Sequence, residues 1–357
     1  MNVSDFDFEL PEDLIAQYPP AERGQSRLLV LAREAGTVEH TTFDRLPDSL
    51  RAGDLLVLND TRVFPARLLG HRVPSGGAVE CLLIRDSGLG TRDSGVGSSQ
   101  EWEALMHPGQ KLKPGAQVLF ERDGRCLHGE VLERHFHGRR TIRLWTDGGQ
   151  DVTETIERIG HMPLPPYIRR SDEPSDRERY QTVYAREGGS VAAPTAGLHF
   201  TPRLLDALAS KGVERTTITL HVGYGTFKPV RVGHVEEHVV DAEHYTVTPA
   251  AADALTRALG EGRRIVAVGT TTTRALESLT VEDETINPTT AETRVFIRPG
   301  HRFRLVSGLV TNFHLPRSSL LMLVAAFAGR EQIMAVYREA VATRYRFYSY
   351  GDAMLII

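Results

Sequence analysis

An abrupt change of texture constrains this chain most. From about residue 66 to 153, apolar and polar residues alternate in six short segments, ARLLGHRV, AVECLLI, EWEALMH, AQVLFER, CLHGEVLER and RTIRLWT, separated by Gly and Pro and lacking any helical period. Alternation with period two is the mark of a half-buried strand, and six such segments in succession predict a small antiparallel barrel or sandwich. Within it, the Gly/Ser-rich near-duplication RDSGLGTRDSGVGSSQ at 85–100 reads as a hairpin tip.

The flanks read differently. LLVL at 28–31 and LLVLN at 55–59 are continuous apolar runs, as expected of strands buried on both faces. Downstream, Thr201 and Pro202 open a helix over LLDALASK that Gly212 ends, and TTITLHV at 216–222 follows as a strand. Thr248 and Pro249 open a second helix, RRIVAVGTT is a buried strand and TRALESL a helix. A final strand, RFRLVSGLVTNF, leads through HLPRS into LLMLVAAFA and a helix near 330–344. The expected architecture is an α/β main domain built from both ends of the chain, residues 1–65 and 154–357, with a small antiparallel β-barrel domain, 66–153, inserted in it. A length of 357 residues, more than one core usually organises, agrees with two units.

Composition excludes several classes. Hydrophobic residues at 41% and charged residues at 25% exclude a disordered chain, a collagen and a coiled coil. The longest uncharged apolar run, Leu320 to Ala328, is far shorter than the ~20 residues that span a bilayer, so no membrane association is expected. An acidic N-terminus without a basic and apolar leader, and only two cysteines, Cys81 and Cys126, point to a reducing, cytoplasmic setting. The net charge is −4, yet residues 294–350 carry nine arginines against Glu331 and Glu339, a segment on which a polyanion could dock.

No phosphate-binding G-x-x-x-x-G-K-[ST] is present, and Gly223-Tyr224-Gly225 lacks the third glycine of a dinucleotide fingerprint. His234-Val235-Glu236-Glu237-His238 matches the inverted zinc-peptidase pattern, which needs a helix to put both histidines on one face; a solvated charged segment is the simpler reading, and no metal is expected. Four loops carry more chemistry: APTAGLHF at 193–200, LHVGYGTF at 220–227, GTTTTR at 269–274 and TNFHLP at 311–316. Each sets small residues, hydroxyls, a histidine or an aromatic where a strand ends, which is where open α/β sheets bind ligands.

These loops, with GHMPLPPY at 160–167, YQTVYA at 180–185, RFYSYGDAM near the C-terminus, DFDFELPEDLIAQYP and NDTRVFPARL, resemble the S-adenosylmethionine:tRNA ribosyltransferase-isomerase family of queuosine biosynthesis over nearly the whole chain. The resemblance implies transfer of the ribosyl part of S-adenosylmethionine, a co-substrate, to 7-aminomethyl-7-deazaguanine in the anticodon loop of a tRNA, by a cytoplasmic, monomeric enzyme. Proton transfers near neutrality suit His199, His221 and His314, with Asp241 and Glu243 as supporting carboxylates. In HVVDAEHY, Asp241 stands where the family pattern has a second histidine. Thr195, Gly197, Phe200, Gly223, Tyr224, Thr270, Thr271, Thr272, Arg274, Asn312 and Phe313 are the candidates for holding S-adenosylmethionine, with the Thr270–Thr272 turn on its carboxylate and Phe200, Tyr224 and Phe313 as aromatic walls. Asn59, Arg62, Arg67, Tyr180, Arg344 and Arg346 are candidates for tRNA or ligand contact, and Lys111, Lys113, Arg139 and Arg140 for phosphates. Two other classes compete: a zinc hydrolase at His234 and His238, and an RNA-binding protein without catalysis.

Overall fold

A computed structural model describes residues 1–88, 99–227 and 230–357. Six antiparallel strands close into a barrel in the order Arg139–Trp145, Ser99–His107, Ala78–Asp86, Arg67–Val73, Gln117–Arg122, Arg125–Arg134. They coincide with the six alternating segments of the sequence. Val118, Phe120, Leu127, Val131, Ile142 and Leu144 fill the interior from every second position, and Gly129 is required where a Cβ would meet Val118 at 2.8 Å and Ile142 at 2.9 Å. Of the expected Gly/Ser hairpin tip at 85–100, residues 89–98 lie outside the described residues.

The two ends of the chain form a nine-stranded mixed sheet. Its order is Thr289–Thr293, Glu243–Val247, Glu214–Leu220, Leu55–Asn59, Ile265–Val268, Gly308–Asn312, Ala353–Ile356, Arg27–Ala32, Thr37–Thr42. The four strands from Glu214–Leu220 to Gly308–Asn312 are mutually parallel, with Leu55–Asn59 at their centre. The continuous LLVLN run is explained by burial on both faces: Leu55 and Val57 pack under helices Pro249–Gly260, Thr270–Glu277, Ser319–Ala328 and Arg330–Ala342, and Leu56 and Leu58 under Pro202–Ser210. Thr201 and Thr248 cap their helices by accepting from the Leu204 and Ala251 amides at 3.1 and 3.3 Å.

The structure has the helix expected near 330–344, at Arg330–Ala342, and departs from the sequence reading in two strands. Strand 308–312 is half the length expected of RFRLVSGLVTNF, because the buried Glu277 carboxylate takes the amides of Arg304, Leu305 and Val306 at 2.9, 3.0 and 2.9 Å and leaves them nothing to offer a neighbouring strand. The last apolar stretch is two helices bent by 116° at Gly329, whose φ of 89° ends the first. Among the described residues, no single helix is long and apolar enough to cross a membrane. The closing strand Ala353–Ile356 lies between Gly308–Asn312 and Arg27–Ala32 and ties the C-terminus to the N-terminal hairpin.

Where the two central strands stop pairing, Asn59 continues the ladder with its side chain. It is fully buried, its Nδ2 donates to the Leu220 carbonyl at 2.9 Å, and its Oδ1 accepts from Leu220 and Thr61 at 3.0 and 3.2 Å. This corrects the expectation that Asn59 touches a ligand: its amide is spent on backbone. Asn59→Ala would strand those groups away from water and is expected to lower stability by about 2–4 kcal/mol, read as a shift of the urea midpoint at unchanged slope. A shift below about 0.5 kcal/mol would mean that the strand ends hold without it.

Candidate active site

All four parallel strands end at the same edge of the sheet; the loops at 220–227, 269–274 and 311–316 leave them there, and the 193–200 loop comes in from Glu187–Ser190 of a separate two-stranded sheet. A cleft opens between them. Its floor is Gly269, Thr270 and Thr271, the start of the helix that follows Ile265–Val268. Gly269 has φ 94°, a left-handed conformation that lets the chain turn straight from strand to helix and brings the helix N-terminus to the cleft. One wall is Ala193, Pro194, Thr195 and Ala196; another is Thr311, Asn312 and His314; Val222 and Leu320 complete the apolar side.

The remaining wall is aromatic and is built by Tyr167 and Tyr348, with ring centroids 3.8 Å apart at 54°. The Tyr167 hydroxyl meets Ser349 Oγ at 2.5 Å, and Tyr348 is held at φ 73°, unusual for a bulky residue, by an amide bond to the Phe313 carbonyl at 2.9 Å. Behind this wall Asp176 acts as a clamp. It is buried, takes a two-pronged pair from Arg170 at 2.7 and 2.8 Å, and accepts from the Tyr350 hydroxyl at 2.8 Å. Burial alone would raise its carboxyl pKa, but Arg170, the Glu173 amide and Tyr350 outweigh it and hold the group below the usual range.

The three candidate histidines separate. His314 lines the cleft, its Nε2 2.8 Å from Thr311 Oγ1, and burial pushes its pKa down to about 3. His199 lies behind the wall, between Ser26 Oγ at 2.9 Å and Asn312 Nδ2 at 3.0 Å, and burial, helped by Arg346 and Arg23, takes it to about 3 as well. His221 faces away, bonded through Nδ1 to Thr61 Oγ1 at 2.8 Å and packed over Gly189. Its pKa is lowered by burial and by His244.

The candidate carboxylates gather in a second cleft that shares Leu320 with the first. There Glu243, buried, pairs with Arg274 and accepts from the Gly223 amide at 3.1 Å. Asp241 pairs with Arg139 of the barrel at 3.1 Å, joining the two units. Among the described residues, no three His, Cys, Asp or Glu side chains group as metal ligands. His234 and His238 flank a short 3-10 turn, Val235–Glu237, instead of sharing a helix face.

Several candidates belong elsewhere. Phe200 and Phe313 are fully buried in the cores on opposite faces of the sheet, and Tyr224 packs against the barrel core, so the aromatic wall is made by Tyr167 and Tyr348 instead. Thr272 turns its hydroxyl back to the Val268 carbonyl at 2.7 Å, away from the cleft. Gly197 gives room to the Tyr184 hydroxyl, 2.2 Å from where a Cβ would sit, and Tyr180 is fully buried core. Arg67 pairs with Glu80 on the barrel, and Arg62 is exposed on strand Thr61–Val63. Arg140 is buried and donates to the carbonyls of Gly109, Leu112 and Arg139, which removes it from any phosphate surface. Of the nine C-terminal arginines, Arg298, Arg317, Arg330, Arg344 and Arg346 pair with Glu236, Asp7, Asp5, Asp13 and Asp352, so part of the expected basic surface is neutralised, three of these five by the N-terminal segment.

The profile of the queuosine biosynthesis protein family matches residues 3–356. The chain belongs to the queuosine biosynthesis family. It is 51% identical over 357 residues to the S-adenosylmethionine:tRNA ribosyltransferase-isomerase of Desulfitobacterium hafniense and 52% over 358 residues to that of Symbiobacterium thermophilum, covering 100% of both chains in each case. The crystal structure of S-adenosylmethionine tRNA ribosyltransferase from Thermotoga maritima matches with a TM-score of 0.55 and 38% identity, over 99% of this chain and 100% of that one. In this queuosine family chain, the residues that sequence reasoning missed, Tyr167, Tyr348 and Ser349, lie within GHMPLPPY and RFYSYGDAM, motifs that carried the resemblance. Proximity between segments 180 residues apart is what brings them together.

The buried histidines predict acid sensitivity. With folded pKa values of about 3 against an ordinary 6.5, the unfolded chain binds more protons between those limits, so stability is fully present above pH 6.5 and lost as pH falls toward 3. Each histidine accounts for on the order of 2 kcal/mol at pH 5. His199→Gln is therefore expected to show a shallower fall in urea midpoint between pH 7.5 and 5 than the parent protein; equal slopes would contradict the assignment.

Proposed function

We propose that this chain transfers and isomerises the ribosyl moiety of S-adenosylmethionine onto the aminomethyl group of 7-aminomethyl-7-deazaguanine in tRNA, giving epoxyqueuosine-tRNA and releasing adenine and methionine. The observation that carries the reading is the match, over the entire length, to relatives named for ribosyl transfer and isomerisation. The cleft supplies chemistry that suits it. The sulfonium acidifies the 5′ carbon of the bound ribose, so a neutral base nearby takes a proton from it, and a proton must then reach the departing adenine. His314 lines the cleft, and burial keeps it in the neutral form that a base requires. The sulfonium itself acts as electron sink.

The first turn of helix Thr270–Glu277, with the Thr270 and Thr271 hydroxyls, is a place for the methionine carboxylate. Lys111 and Lys113, both exposed on the barrel, remain the candidates for tRNA phosphates, and the work is that of a monomer in the cytoplasm.

Incubation with S-adenosylmethionine and tRNA bearing 7-aminomethyl-7-deazaguanine is expected to release adenine and yield epoxyqueuosine by nucleoside mass spectrometry. His314→Gln is expected to lower kcat by about 10²-fold or more. Folded protein that releases no adenine from correctly modified tRNA would overturn the reading. Raising salt from 50 to 200 mM should raise KM for tRNA steeply while leaving KM for S-adenosylmethionine nearly constant, since only the former involves counterion release.

A further inference from the structure

His199 was a candidate acid or base, yet its hydrogen bonds determine where its proton sits. Asn312 Nδ2 lies 3.0 Å from the Tyr348 carbonyl, which can only accept, so that atom is the amide nitrogen and not the oxygen. The same Nδ2 lies 3.0 Å from His199 Nε2. Its second hydrogen therefore goes to His199, and Nε2 is an acceptor without a proton. The imidazole proton is then on Nδ1, where it is donated to Ser26 Oγ at 2.9 Å. Phe43 stacks on the ring with centroids 4.9 Å apart at 32°, fixing its plane. Both hydrogens of the Asn312 amide are thus committed, and the amide cannot rotate without breaking two bonds.

The other half of that amide is unsatisfied. Asn312 is 2% exposed and lines the cleft, and its Oδ1 has no hydrogen-bond partner among the described residues. A buried carbonyl oxygen without a donor is costly, and at a ligand cleft it marks where a ligand donor belongs. We propose that His199 is a positioning residue that locks the Asn312 amide, and that Asn312 Oδ1 is the acceptor for the exocyclic amino group of the adenine of bound S-adenosylmethionine. This rests on S-adenosylmethionine being the ligand. That molecule has two amino groups, and the surroundings favour the adenine one: Tyr167, Tyr348 and Pro194 offer flat apolar surface to a base. Because Asn312 has no free hydrogen to donate, it accepts an amino group and repels a carbonyl. The site therefore distinguishes adenine from hypoxanthine by an acceptor facing either a donor or a second acceptor.

The test uses 5′-methylthioadenosine and 5′-methylthioinosine, which differ at the 6-position and in the proton that the inosine carries on the adjacent N1, and which lack the amino-acid end, so the α-amino group plays no part. Calorimetric titration of the full-length protein is expected to show the adenine form bound at least about tenfold more tightly. Asn312→Ala is expected to reduce that preference to within about twofold. His199→Gln keeps an acceptor oxygen near the position of Nε2 but cannot titrate; it is expected to retain both the preference and a kcat within a few-fold of the parent. His199→Phe, which offers Asn312 no acceptor, should lose the preference. Equal binding of the two nucleosides by a protein that still releases adenine from S-adenosylmethionine would overturn this assignment alone, as would a loss of kcat of about 100-fold or more in a folded His199→Gln variant. Failure to bind S-adenosylmethionine at all, with no adenine release, would overturn the functional reading along with it.

Discussion

Everything at the site depends on four parallel strands ending together at one edge of the sheet. The strands are held by burial on both faces, and their ends by Asn59, whose side-chain amide acts as one more rung between Leu55–Asn59 and Glu214–Leu220. From that fixed edge the loops 269–271 and 311–316 reach one space, which 193–196 enters from the separate two-stranded sheet, and each brings polar atoms to it. The cleft is consequently a rigid one, assembled from strand ends and a helix N-terminus, as accurate placement of reacting groups requires.

A second level of order is the set of buried polar groups behind the cleft. Asp176 with Arg170 and Tyr350, Glu277 with three backbone amides, and His199 between Ser26 and Asn312 are each satisfied by several partners. Removing one partner from such a group exposes the others to an uncompensated environment, so these contacts specify conformation more than they add net stability. The Asp176 clamp sets the aromatic wall by tying the 167–176 segment to the turn at Tyr350. The His199 contact sets the polar wall by fixing the face that Asn312 presents.

The fold was largely legible in the sequence because its signals are local. Alternation marked the six barrel strands, continuous apolar runs marked the central strands, and Thr-Pro pairs marked two helix starts that the structure places within a residue. What escaped was decided by distant groups: a carboxylate at Glu277 shortened one strand, and the last strand, Ala353–Ile356, exists only because two others flank it. The site followed the same division. Thr270, Thr271, Asn312 and His314 come together because they follow neighbouring strands, and Thr195 joins them from the separate two-stranded sheet, whereas Phe200 and Phe313, within the same loops, turn into the core. Tyr167 and Tyr348 meet across 180 residues and were visible only as parts of family motifs. The proton on His199 could not be read from its neighbours in sequence, since Ser26 and Asn312 are the groups that place it.

The most direct test of the account is a crystal structure of this protein with S-adenosylhomocysteine bound. The account places adenine against Tyr167 and Tyr348 with its amino group on Asn312 Oδ1, the 5′ carbon facing His314, and the amino-acid end toward Thr270 and Thr271. Nucleoside density outside the cleft at the strand ends, or within it but with His314 remote from the 5′ carbon, would contradict it.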